Sequence, residues 1–377
     1  MSFLVFNAGS SGLKAAVFDG KDLSSLAIAA VGWGAEPEDA FDQIAQALAK
    51  NQSNLSSSIT AVGHRIVHGG VSFRDSVVLT NSVKDQIRGA AGLAPLHNRP
   101  ALEIIARAEA AYPGVPHVGV FDTAYFHDLP PRQFVYPVPY DWYEKWGVRR
   151  FGFHGISHRS CAERAAEILG RNDLRVVSCH LGQGCSATAS RGGRAVATTM
   201  GFTPLEGLMM GSRSGSVDPG ILLYLQEKHQ MDALSLETAL NHESGLKGVS
   251  GLSSDFREVE AAAKSGNERC RLALDMFTDR VRSAIGALSV TLGGIDVLVF
   301  TGGVGEHSPS IRAAVCQGLE CLGLEIDIDG NNRAQSEFDI GHAASRGRIF
   351  VLPAREERAI AEEVRRLLPA GTLMPLK

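Results

Sequence analysis

Two stretches of this chain share one pattern of apolar and polar positions. Near the start, an apolar strand enters a glycine- and serine-rich turn at residues 7–12, and a second apolar strand leaves this turn and ends at Gly20. Residues 174–193 repeat this plan, with Gly182 and Gly184 in the turn. A repeated supersecondary unit predicts a duplicated domain with one phosphate-binding turn in each half. The alternative for the first turn is an ordinary hairpin without a ligand.

The rest of the chain alternates apolar strands with helices of 3.6-residue period. Further strands are predicted at residues 61–68, 117–122, 295–301 and 349–352. Helices are predicted at residues 38–50, 101–111 and 157–170, through most of 220–290 with a break at 245–257, from Ser310, and from Glu356. Residues 93–100 form a predicted loop in which Pro100 precedes the next helix. Residues 198–220 lack a regular pattern, which is typical of a functional loop.

Length and composition predict a soluble protein of two domains. The chain has 377 residues, 44% of them apolar and 21% charged, and its apolar runs are too short for a membrane span. Its first residues carry no basic region, so we expect no signal peptide and a cytoplasmic location. A formal net charge of −4, without a basic run interleaved with aromatic residues, argues against nucleic acid as a partner and favours a small molecule.

The six cysteines predict reduced thiols. They include no Cys-x-x-Cys pair and lie in apolar or strand-like surroundings. We therefore expect neither a disulfide nor a structural zinc site.

The densest group of candidate site residues lies at residues 149–158. Two arginines, two histidines and two phenylalanines lead into the helix predicted from Ser157, and a loop that enters a helix N-terminus can hold an anion. His154 and His158 are about one helical turn apart. The alternative is that the phenylalanines belong to the core and that both histidines bond to backbone or solvent.

Four other charged residues are candidates for anion chemistry. Arg65 lies inside a mostly apolar strand, where an unpaired guanidinium is costly, so it needs a partner or a site unless the strand lies at a surface or edge. Asp122 ends a strand, where ligands gather in open α/β sheets, although it could instead cap the next turn. Lys14 adds a positive charge beside the first turn, and Arg213 lies between glycines in the irregular loop.

Two stretches later in the chain suggest a nucleotide. Residues 302–306 form a predicted glycine-rich turn between a buried-type strand and a helix, but neither a complete dinucleotide-binding motif nor a P-loop is present. Asp255 and Arg257 lie in the break of the long helical region. For these two residues, a helix cap and a solvated charge are the alternative to a ligand site.

Nine stretches in fixed order together resemble the acetate kinase family, within the acetate and propionate kinase superfamily. They are residues 7–11, 64–70, 93–98, 120–123, 151–155, 180–184, 200–219, 254–257 and 300–306. The resemblance implies an α/β fold of two duplicated ribonuclease-H-like domains, of the actin, Hsp70 and hexokinase type, with mixed sheets flanked by helices and a cleft between them. It implies an N-terminal domain of residues 1–123 with about 357–377, and a C-terminal nucleotide-binding domain of residues 124–356.

The resemblance also implies an activity and a set of site residues. The activity is reversible, direct in-line transfer of the γ-phosphoryl group of ATP to acetate, giving acetyl phosphate and ADP. The implied catalytic residues are Arg65, Asp122, His154 and Arg213. The implied substrate-binding residues are Arg65, Val67, Leu96, His97, Phe153 and Pro204. The implied nucleotide-binding residues are Ser10, Lys14, His180, Leu181, Gly182, Gln183, Gly184, Asp255, Phe256, Arg257, Gly303, Val304, Gly305, Glu306 and His307.

The resemblance further implies a cofactor and partners. Asn7 and Glu356 would serve a site for Mg²⁺, with Mn²⁺ as a possible substitute. The protein would be a homodimer and would be coupled functionally to an enzyme that uses or produces acetyl phosphate.

The residue types fit this chemistry. Phosphoryl transfer to a carboxylate brings two anions together, which two arginines, a histidine and a metal ion can stabilise. Acetate is already ionised at neutral pH, because carboxylic acids titrate at about 4 to 5. No proton has to be removed, so we interpret Asp122 as a residue that orients an arginine, metal-bound water or substrate rather than as a general base.

The chain departs from the family pattern at several positions. Gly12 stands where the family usually has serine, His307 where it usually has asparagine, and Glu356 follows Pro-Ala-Arg rather than an ending in Thr-Asn. The segment at residues 20–61 is also shorter than usual in the family, which should affect a peripheral helix and loop.

Three other functions are alternatives. A propionate or butyrate kinase would differ from an acetate kinase only in the size of the acyl pocket. An ATP-driven binding module of the same fold would need no acceptor clamp, so Arg65, His154 and Arg213 argue against it. A nicotinamide dehydrogenase is the least favoured.

Overall fold

The structure of the protein is a computed structural model that describes residues 1–9, 12–33, 37–51, 58–90 and 95–368, with the main chain alone at residues 37, 38, 49–51 and 95–97. The chain forms two compact units, each with its own sheet. The first unit contains Met1–His127, Phe153–Ser160 and Arg355–Lys377, and the second contains Asp128–Gly152 and Cys161–Ala354.

Twelve strands in the described ranges form these two sheets. The strands of the first unit are β1 (Ser2–Ala8), β2 (Gly12–Asp19), β3 (Ser25–Gly32), β4 (Ile59–Ile66), β5 (Val77–Val78) and β6 (His117–Phe121). The strands of the second unit are β7 (Arg175–Leu181), β8 (Cys185–Arg191), β9 (Arg194–Thr198), β10 (Val297–Thr301), β11 (Phe338–Asp339) and β12 (Arg348–Val351).

Helices flank both sheets. They are α1 (Pro37–Asn51), α2 (Asn81–Ala90), α3 (Pro95–Ala111), α4 (Pro131–Phe134), α5 (Asp141–Trp146), α6 (Gly155–Leu169), α7 (Pro219–His229), α8 (Ala233–His242), α9 (Gly245–Ser250), α10 (Phe256–Lys264), α11 (Glu268–Leu292), α12 (Gly302–His307), α13 (Pro309–Cys316), α14 (Ile328–Arg333) and α15 (Glu356–Leu367). Short 3₁₀ helices lie at Ala124–Phe126 and Leu319–Leu322.

The two sheets have the same topology. The strand order is β3-β2-β1-β4-β6-β5 in the first and β9-β8-β7-β10-β12-β11 in the second. In each sheet the first three strands of the unit form an antiparallel meander, the next two long strands run parallel to the first strand, and a two-residue strand pairs antiparallel at the edge. The predicted duplication of an α/β domain with mixed sheets is confirmed.

Helices cover both faces of the first sheet. Alternate residues of β1 point to opposite faces and therefore pack with different helices. Leu4 and Phe6 pack with apolar residues of α1 and α3, whereas Phe3 and Val5 pack with α15. The sequence of α15 places its apolar residues on one stripe, and that stripe covers the sheet. All eight residues of β4 are buried, as expected for a strand covered on both faces.

Three predicted elements differ from the structure. Helix α3 begins at Pro95 and contains Pro100, because a proline in the second turn removes only one main-chain hydrogen bond and the others hold the helix. Helix α12 begins at Gly302, so the stretch predicted as a glycine-rich turn is itself helical, and the next helix begins at Pro309 rather than Ser310. Helix α9 lies within the predicted break at residues 245–257.

The division into units can be compared with the predicted domains, 1–123 with about 357–377 and 124–356. The units change at residues 127/128 and 354/355, close to the predicted boundaries. They differ from the prediction at Phe153–Ser160, which belongs to the first unit although the prediction includes it in the C-terminal domain. Contacts made by these residues in three dimensions, described below, explain the difference.

Two further findings concern the whole described chain. Within the described residues, none of the helices combines the length and the apolar character that a membrane span needs. All six cysteines lie in the described ranges as free thiols, and five of them are buried.

Candidate active site

A buried ion pair occupies the ends of two neighbouring strands of the first unit. Arg65 lies near the end of β4, and Asp122 follows β6 directly, so the parallel strands bring the two side chains together. The Arg65 guanidinium donates from Nε to Asp122 Oδ1 at 3.1 Å and from Nη2 to Oδ2 at 2.6 Å. Strand β4 lies between β1 and β6, so the alternative of an edge strand for Arg65 is wrong.

Burial and charge act in opposite directions on this pair. Burial lowers the pKa of Arg65, but the carboxylates of Asp122, Glu356 and Glu357 outweigh it, and the net pKa is raised. Burial raises the pKa of Asp122, and the adjacent Arg65 opposes that rise. Arg65 remains charged, and its two parallel hydrogen bonds hold Asp122 in a fixed orientation.

Asn7 and the first turn of α15 surround the other side of Arg65. Asn7 lies in β1 and accepts a hydrogen bond from Arg65 Nη1 at 3.0 Å. Its amide nitrogen donates to Glu356 Oε2 at 2.9 Å and to Glu357 Oε1 at 2.8 Å. Arg65 Nη1 is 3.5 Å from Glu356 Oε2. Strand β1 and helix α15, which are far apart in sequence, thus bring a polar amide and two carboxylates to one place.

This donor set fits a hard divalent cation. Asn7 and the two carboxylates supply oxygen donors only, which is what Mg²⁺ prefers. Asp122, Glu356 and Glu357 surround the guanidinium of Arg65, so three carboxyl groups lie around one cation in this group of side chains. Asn7 and Glu356, the residues predicted for the metal, would hold such an ion together with phosphate oxygens and water.

The stretch that leads into α6 packs closely against Asp122. The amide of His154 donates to Asp122 Oδ2 at 3.3 Å. His154 has a positive φ of 57°, which turns the chain sharply before the helix. A Cβ on Gly155 would lie 2.0 Å from the carbonyl oxygen of Asp122, so only glycine permits this approach. These contacts explain why residues 153–160 belong to the first unit.

The candidate acyl pocket is represented in the first unit by Val67 and Phe153. Both side chains are buried. The Phe153 ring contacts the ring of His68 edge-on, with centroids 5.5 Å apart. Asn98 fixes the main chain of His68 on both sides, accepting from its amide at 3.0 Å and donating to its carbonyl at 2.8 Å.

The remaining candidate residues of this unit include three that lie wholly or partly outside the described residues. Ser10 lies outside the described residues, and the side chains of Leu96 and His97 do too. Lys14 lies opposite Asn7 in the pairing of β1 and β2, and its side chain is exposed. His158 is a fully buried residue of α6 whose ring contacts Phe126.

The packing around Gly12 explains why this residue departs from the family pattern. A Cβ at this position would lie 2.3 Å from the carbonyl oxygen of Val31 and 2.9 Å from the Cα of Gly32, on the paired strand β3. No side chain fits there without moving β3. The hydroxyl contact that a serine would offer is therefore absent in this chain.

The second unit contains a cavity of about 780 Å³. Its wall includes eight of the predicted nucleotide-binding residues: Gly182, Gln183, Asp255, Phe256, Arg257, Gly303, Val304 and His307. These residues come from the β7–β8 turn, the start of α10 and helix α12. The cavity volume is in the range of sites that hold a small molecule or cofactor.

The other predicted residues of this unit are not among those that line the cavity. The side chain of Leu181 is fully buried, and Gly305 is buried. The carbonyl of Gly184 accepts the amide of Gly182 at 3.1 Å and so closes the turn between β7 and β8. His180, the second-last residue of β7, pairs with Thr301 of β10. Glu306 is used within the protein, because its Oε1 accepts the amides of Gly302 at 3.0 Å and Ala354 at 3.2 Å.

Asp255 and Arg257 are paired with each other. Asp255 caps α10 by accepting the amide of Arg257 at 2.8 Å, as one of the alternatives predicts. It also accepts from Arg257 Nη2 at 2.6 Å, and this hydrogen bond is the main cause that lowers the pKa of Asp255. The Arg257 side chain is 88% exposed. The two residues therefore cap a helix and line the cavity at the same time.

Arg213 lies in the irregular loop of the second unit. Its Nη1 donates to the carbonyl oxygen of Pro204 at 2.9 Å. Burial lowers the pKa of Arg213, although a guanidinium remains charged at neutral pH. The catalytic candidate Arg213 and the pocket candidate Pro204 are thus joined directly.

The comparisons with known proteins agree with this arrangement. The sequence model of the Acetokinase family matches residues 26–362. An acetate kinase of Microcystis aeruginosa is 42% identical over 402 residues, which cover 98% of this chain and 100% of that protein. The chain belongs to the acetokinase family.

Solved structures of the acetokinase fold agree with this membership. The crystal structure of Porphyromonas gingivalis acetate kinase has a TM-score of 0.88 at 37% identity, covering 97% of this chain and 99% of that one. A propionate kinase of Francisella tularensis also has a TM-score of 0.88, at 35% identity, covering 96% and 98%. Like its family, this chain is a phosphotransferase, a kinase.

Several residues at the acetokinase site have roles that were not predicted from the sequence. Glu357 shares the Asn7 amide with Glu356, and adjacent carboxylates at a helix start were the only sequence signal for it. Residue 155 must be a glycine because its main chain lies so close to Asp122 that no Cβ would fit. Its place in a predicted motif was the only sequence signal for this role. Tyr136 and Glu206 hold the loop that carries Pro204. Glu206 lies in the predicted functional loop at residues 198–220, but no sequence signal marks Tyr136.

Proposed function

We propose that this protein is an acetate kinase, which transfers the γ-phosphoryl group of ATP to acetate reversibly and directly, in line. The observation that carries the proposal is the buried Arg65–Asp122 pair beside Asn7 and two carboxylates, in a chain of the acetokinase family. A pure ATPase of the same fold has no need to bury an arginine at this position, because it binds no acceptor anion.

The two arginines would stabilise the negative charges of the reacting groups. Arg65 and Arg213 bind the carboxylate and the transferring phosphoryl group, whose negative charges would otherwise repel each other. His154 donates to the phosphoryl oxygens as charge shifts in the transition state. Asp122 orients Arg65 and removes no proton, since acetate is already ionised at neutral pH.

The nucleotide would bind at the cavity of the second unit. The glycines of the β7–β8 turn and of α12 allow the main chain to approach phosphates closely, and Asp255 and Arg257 offer polar contacts to the ribose and base. Lys14 and Ser10 would contact phosphates from the first unit. Asn7 and Glu356 would hold Mg²⁺, which, when bound, neutralises charge on the phosphates.

Propionate is the second candidate acceptor. A propionate kinase is among the most similar solved structures, at 35% identity. Val67, Leu96, His97, Phe153 and Pro204 are the proposed substrate-binding residues. A small change in the depth of this pocket would distinguish two carbons from three, so the acyl preference needs a direct measurement.

The assembly and cellular context are also proposals. A homodimer is supported by α7, in which no side chain is buried and Ile221, Leu223 and Tyr224 are 48%, 67% and 55% exposed. A cytoplasmic location suits an enzyme that uses ATP and keeps its cysteines reduced. Acetyl phosphate is reactive, so we propose a partner enzyme that uses or produces it.

Hydroxylamine trapping tests the function. The protein is incubated with magnesium-ATP and with acetate, propionate or butyrate, and any acyl phosphate is captured as the hydroxamate. We expect acetate to give the highest kcat/KM. No hydroxamate from any of the three acids would overturn the proposal, and a maximum at propionate would favour the second candidate.

A further inference from the structure

A polar cluster in the second unit holds the loop that carries Pro204. Val135 and Arg149 form an isolated antiparallel bridge, and the side chains of the residues that follow them, Tyr136 and Arg150, contact each other. The Arg150 guanidinium stacks over the Tyr136 ring, 5.3 Å from its centroid. Both side chains reach the loop at residues 199–206.

One hydroxyl holds both ends of a five-residue turn. Tyr136 Oη accepts the amide of Phe202 at 2.8 Å and donates to Glu206 Oε2 in a short hydrogen bond. Pro204 lies midway between these two residues. Its carbonyl oxygen accepts from Arg213 Nη1 at 2.9 Å.

Arg150 fixes the same turn from a second direction. It donates from Nη2 to Glu206 Oε1 at 2.7 Å, and from Nη1 to the carbonyls of Thr199 at 3.0 Å and Met200 at 2.9 Å. A Cβ on Gly201 would lie 1.6 Å from Glu206 Oε2 and 2.1 Å from Tyr136 Oη. A side chain at residue 201 would therefore displace the Glu206 carboxylate and the Tyr136 hydroxyl from their present positions.

We propose that Tyr136, Arg150 and Glu206 are positioning residues for the kinase reaction, which set the place of Pro204 and, through its carbonyl, the orientation of Arg213. The inference rests on the proposed function, because it assigns Arg213 to the reacting groups and Pro204 to the acyl pocket. The Tyr136 hydroxyl is central, since it contacts both ends of the turn. Misplacing a catalytic group by about 1 Å can reduce a rate up to a hundredfold.

The Tyr136→Phe variant removes only this hydroxyl and keeps the ring under Arg150. We expect kcat/KM for acetate to fall on the order of tenfold or more, with KM for ATP changed less than about twofold, because the nucleotide cavity keeps its residues. The ratio of kcat/KM for propionate to that for acetate should also change, since Pro204 moves. A merely structural role would not change this ratio.

Two variants of Glu206 should reduce activity to different degrees, and a third variant is a control. Glu206→Gln keeps an oxygen that accepts from Tyr136 but loses the charge that pairs with Arg150, so its activity should lie between wild type and Glu206→Ala. Tyr140→Phe is the matched control, because Tyr140 lies in the same segment and is 57% exposed. It should behave as wild type.

The outcomes separate this inference from the proposed function. Wild type without acyl hydroxamate would overturn both. An active wild type, with Tyr136→Phe equal to it in kcat, KM and acyl ratio, would overturn the positioning role alone. So would a Tyr136→Phe enzyme that merely melts at lower temperature while its KM values and acyl ratio stay those of wild type.

Discussion

Arg65 and Asp122 form a two-point ion pair inside the first unit, with Nε and Nη2 of the arginine bonded to the two carboxylate oxygens. Asp122 is fully buried and Arg65 is 8% exposed. Each residue is the other's main electrostatic partner, so a change in one alters the geometry and the charge at the other. This coupling leads to the first two predictions.

Asp122→Asn should lose most activity at every pH. The asparagine amide can accept only one of the two hydrogen bonds from Arg65 and leaves the guanidinium buried with less compensation, which costs stability of about 3 kcal/mol or more. The kcat should be measured from pH 6 to pH 9. If the rate recovered simply because the pH was raised, Asp122 would be acting as a base, contrary to our interpretation.

Arg65→Ala and Arg213→Ala should each reduce kcat by two or more orders of magnitude, because each removes a charge that stabilises the transition state. Folding of both variants is checked by circular dichroism and thermal melting. Arg88→Ala is the matched control, since the Arg88 side chain is 59% exposed and forms an ion pair with Asp85 on the surface of α2. Near-wild-type kcat in both active-site variants would contradict the proposed roles.

Val67→Ala should shift the acyl preference from acetate toward propionate by a factor on the order of ten, because it would remove two methyl groups from the wall of the proposed acyl pocket. The measurement is the ratio of kcat/KM for the two acids in the hydroxamate assay. Val71→Ala, at a position 58% exposed, is the control and should leave the ratio unchanged. An unaltered ratio in Val67→Ala would remove Val67 from the pocket.

His154 should act on turnover more than on substrate binding. His154→Asn removes the imidazole while asparagine tolerates the positive φ of 57°, so it tests the ring without straining the turn. We expect kcat to fall at least about tenfold, with KM for acetate changed far less. A rise in KM with kcat unchanged would mean that His154 binds substrate but does not stabilise the transition state.

The first unit should lose stability as the pH falls below about 6.5. His64 and His117 share a hydrogen bond of 2.9 Å inside the sheet, and burial lowers the pKa of both, that of His64 well below 6.5. The unfolded chain therefore binds more protons than the folded one below pH 6.5, and the free energy of unfolding declines there by up to about 1.4 kcal/mol per pH unit and histidine.

Thermal melting between pH 8 and pH 5.5 measures this effect. The midpoint should be constant above pH 6.5 to 7 and fall below it, about equally in wild type and in His229→Gln, a change at an exposed position. The double variant His64→Leu, His117→Leu should lose most of the dependence. Equal slopes in the double variant and wild type would assign the acid sensitivity to other groups.

Much of the fold follows from local patterns in the sequence. The two strand-turn-strand units could be predicted because the apolar runs and the glycine turns recur, and Arg65 could be singled out because a charge inside an apolar strand needs a partner. That the partner is Asp122 follows once the two strands are known to be parallel neighbours. The sequence pattern alone leaves that pairing open.

Other features depend on contacts between distant residues. Tyr136 and Glu206 are 70 residues apart, and Asn7 and Glu357 are 350 apart, so no local pattern marks either pair. The residues of helix α12 were predicted as a turn because glycines disfavour helices. The first residue of the helix, Gly302, has a positive φ of 78°, which residues other than glycine rarely adopt. Tertiary packing overrides propensity at this position.

The fate of the γ-phosphoryl group of ATP tests the account most directly. Phosphorus NMR follows magnesium-ATP mixed with the protein, with and without acetate, and then acetyl phosphate mixed with ADP. We predict acetyl phosphate and ADP in equal amounts only when acetate is present, and ATP from the reverse mixture. Inorganic phosphate released from ATP at the same rate with or without acetate would contradict the account and indicate an ATPase.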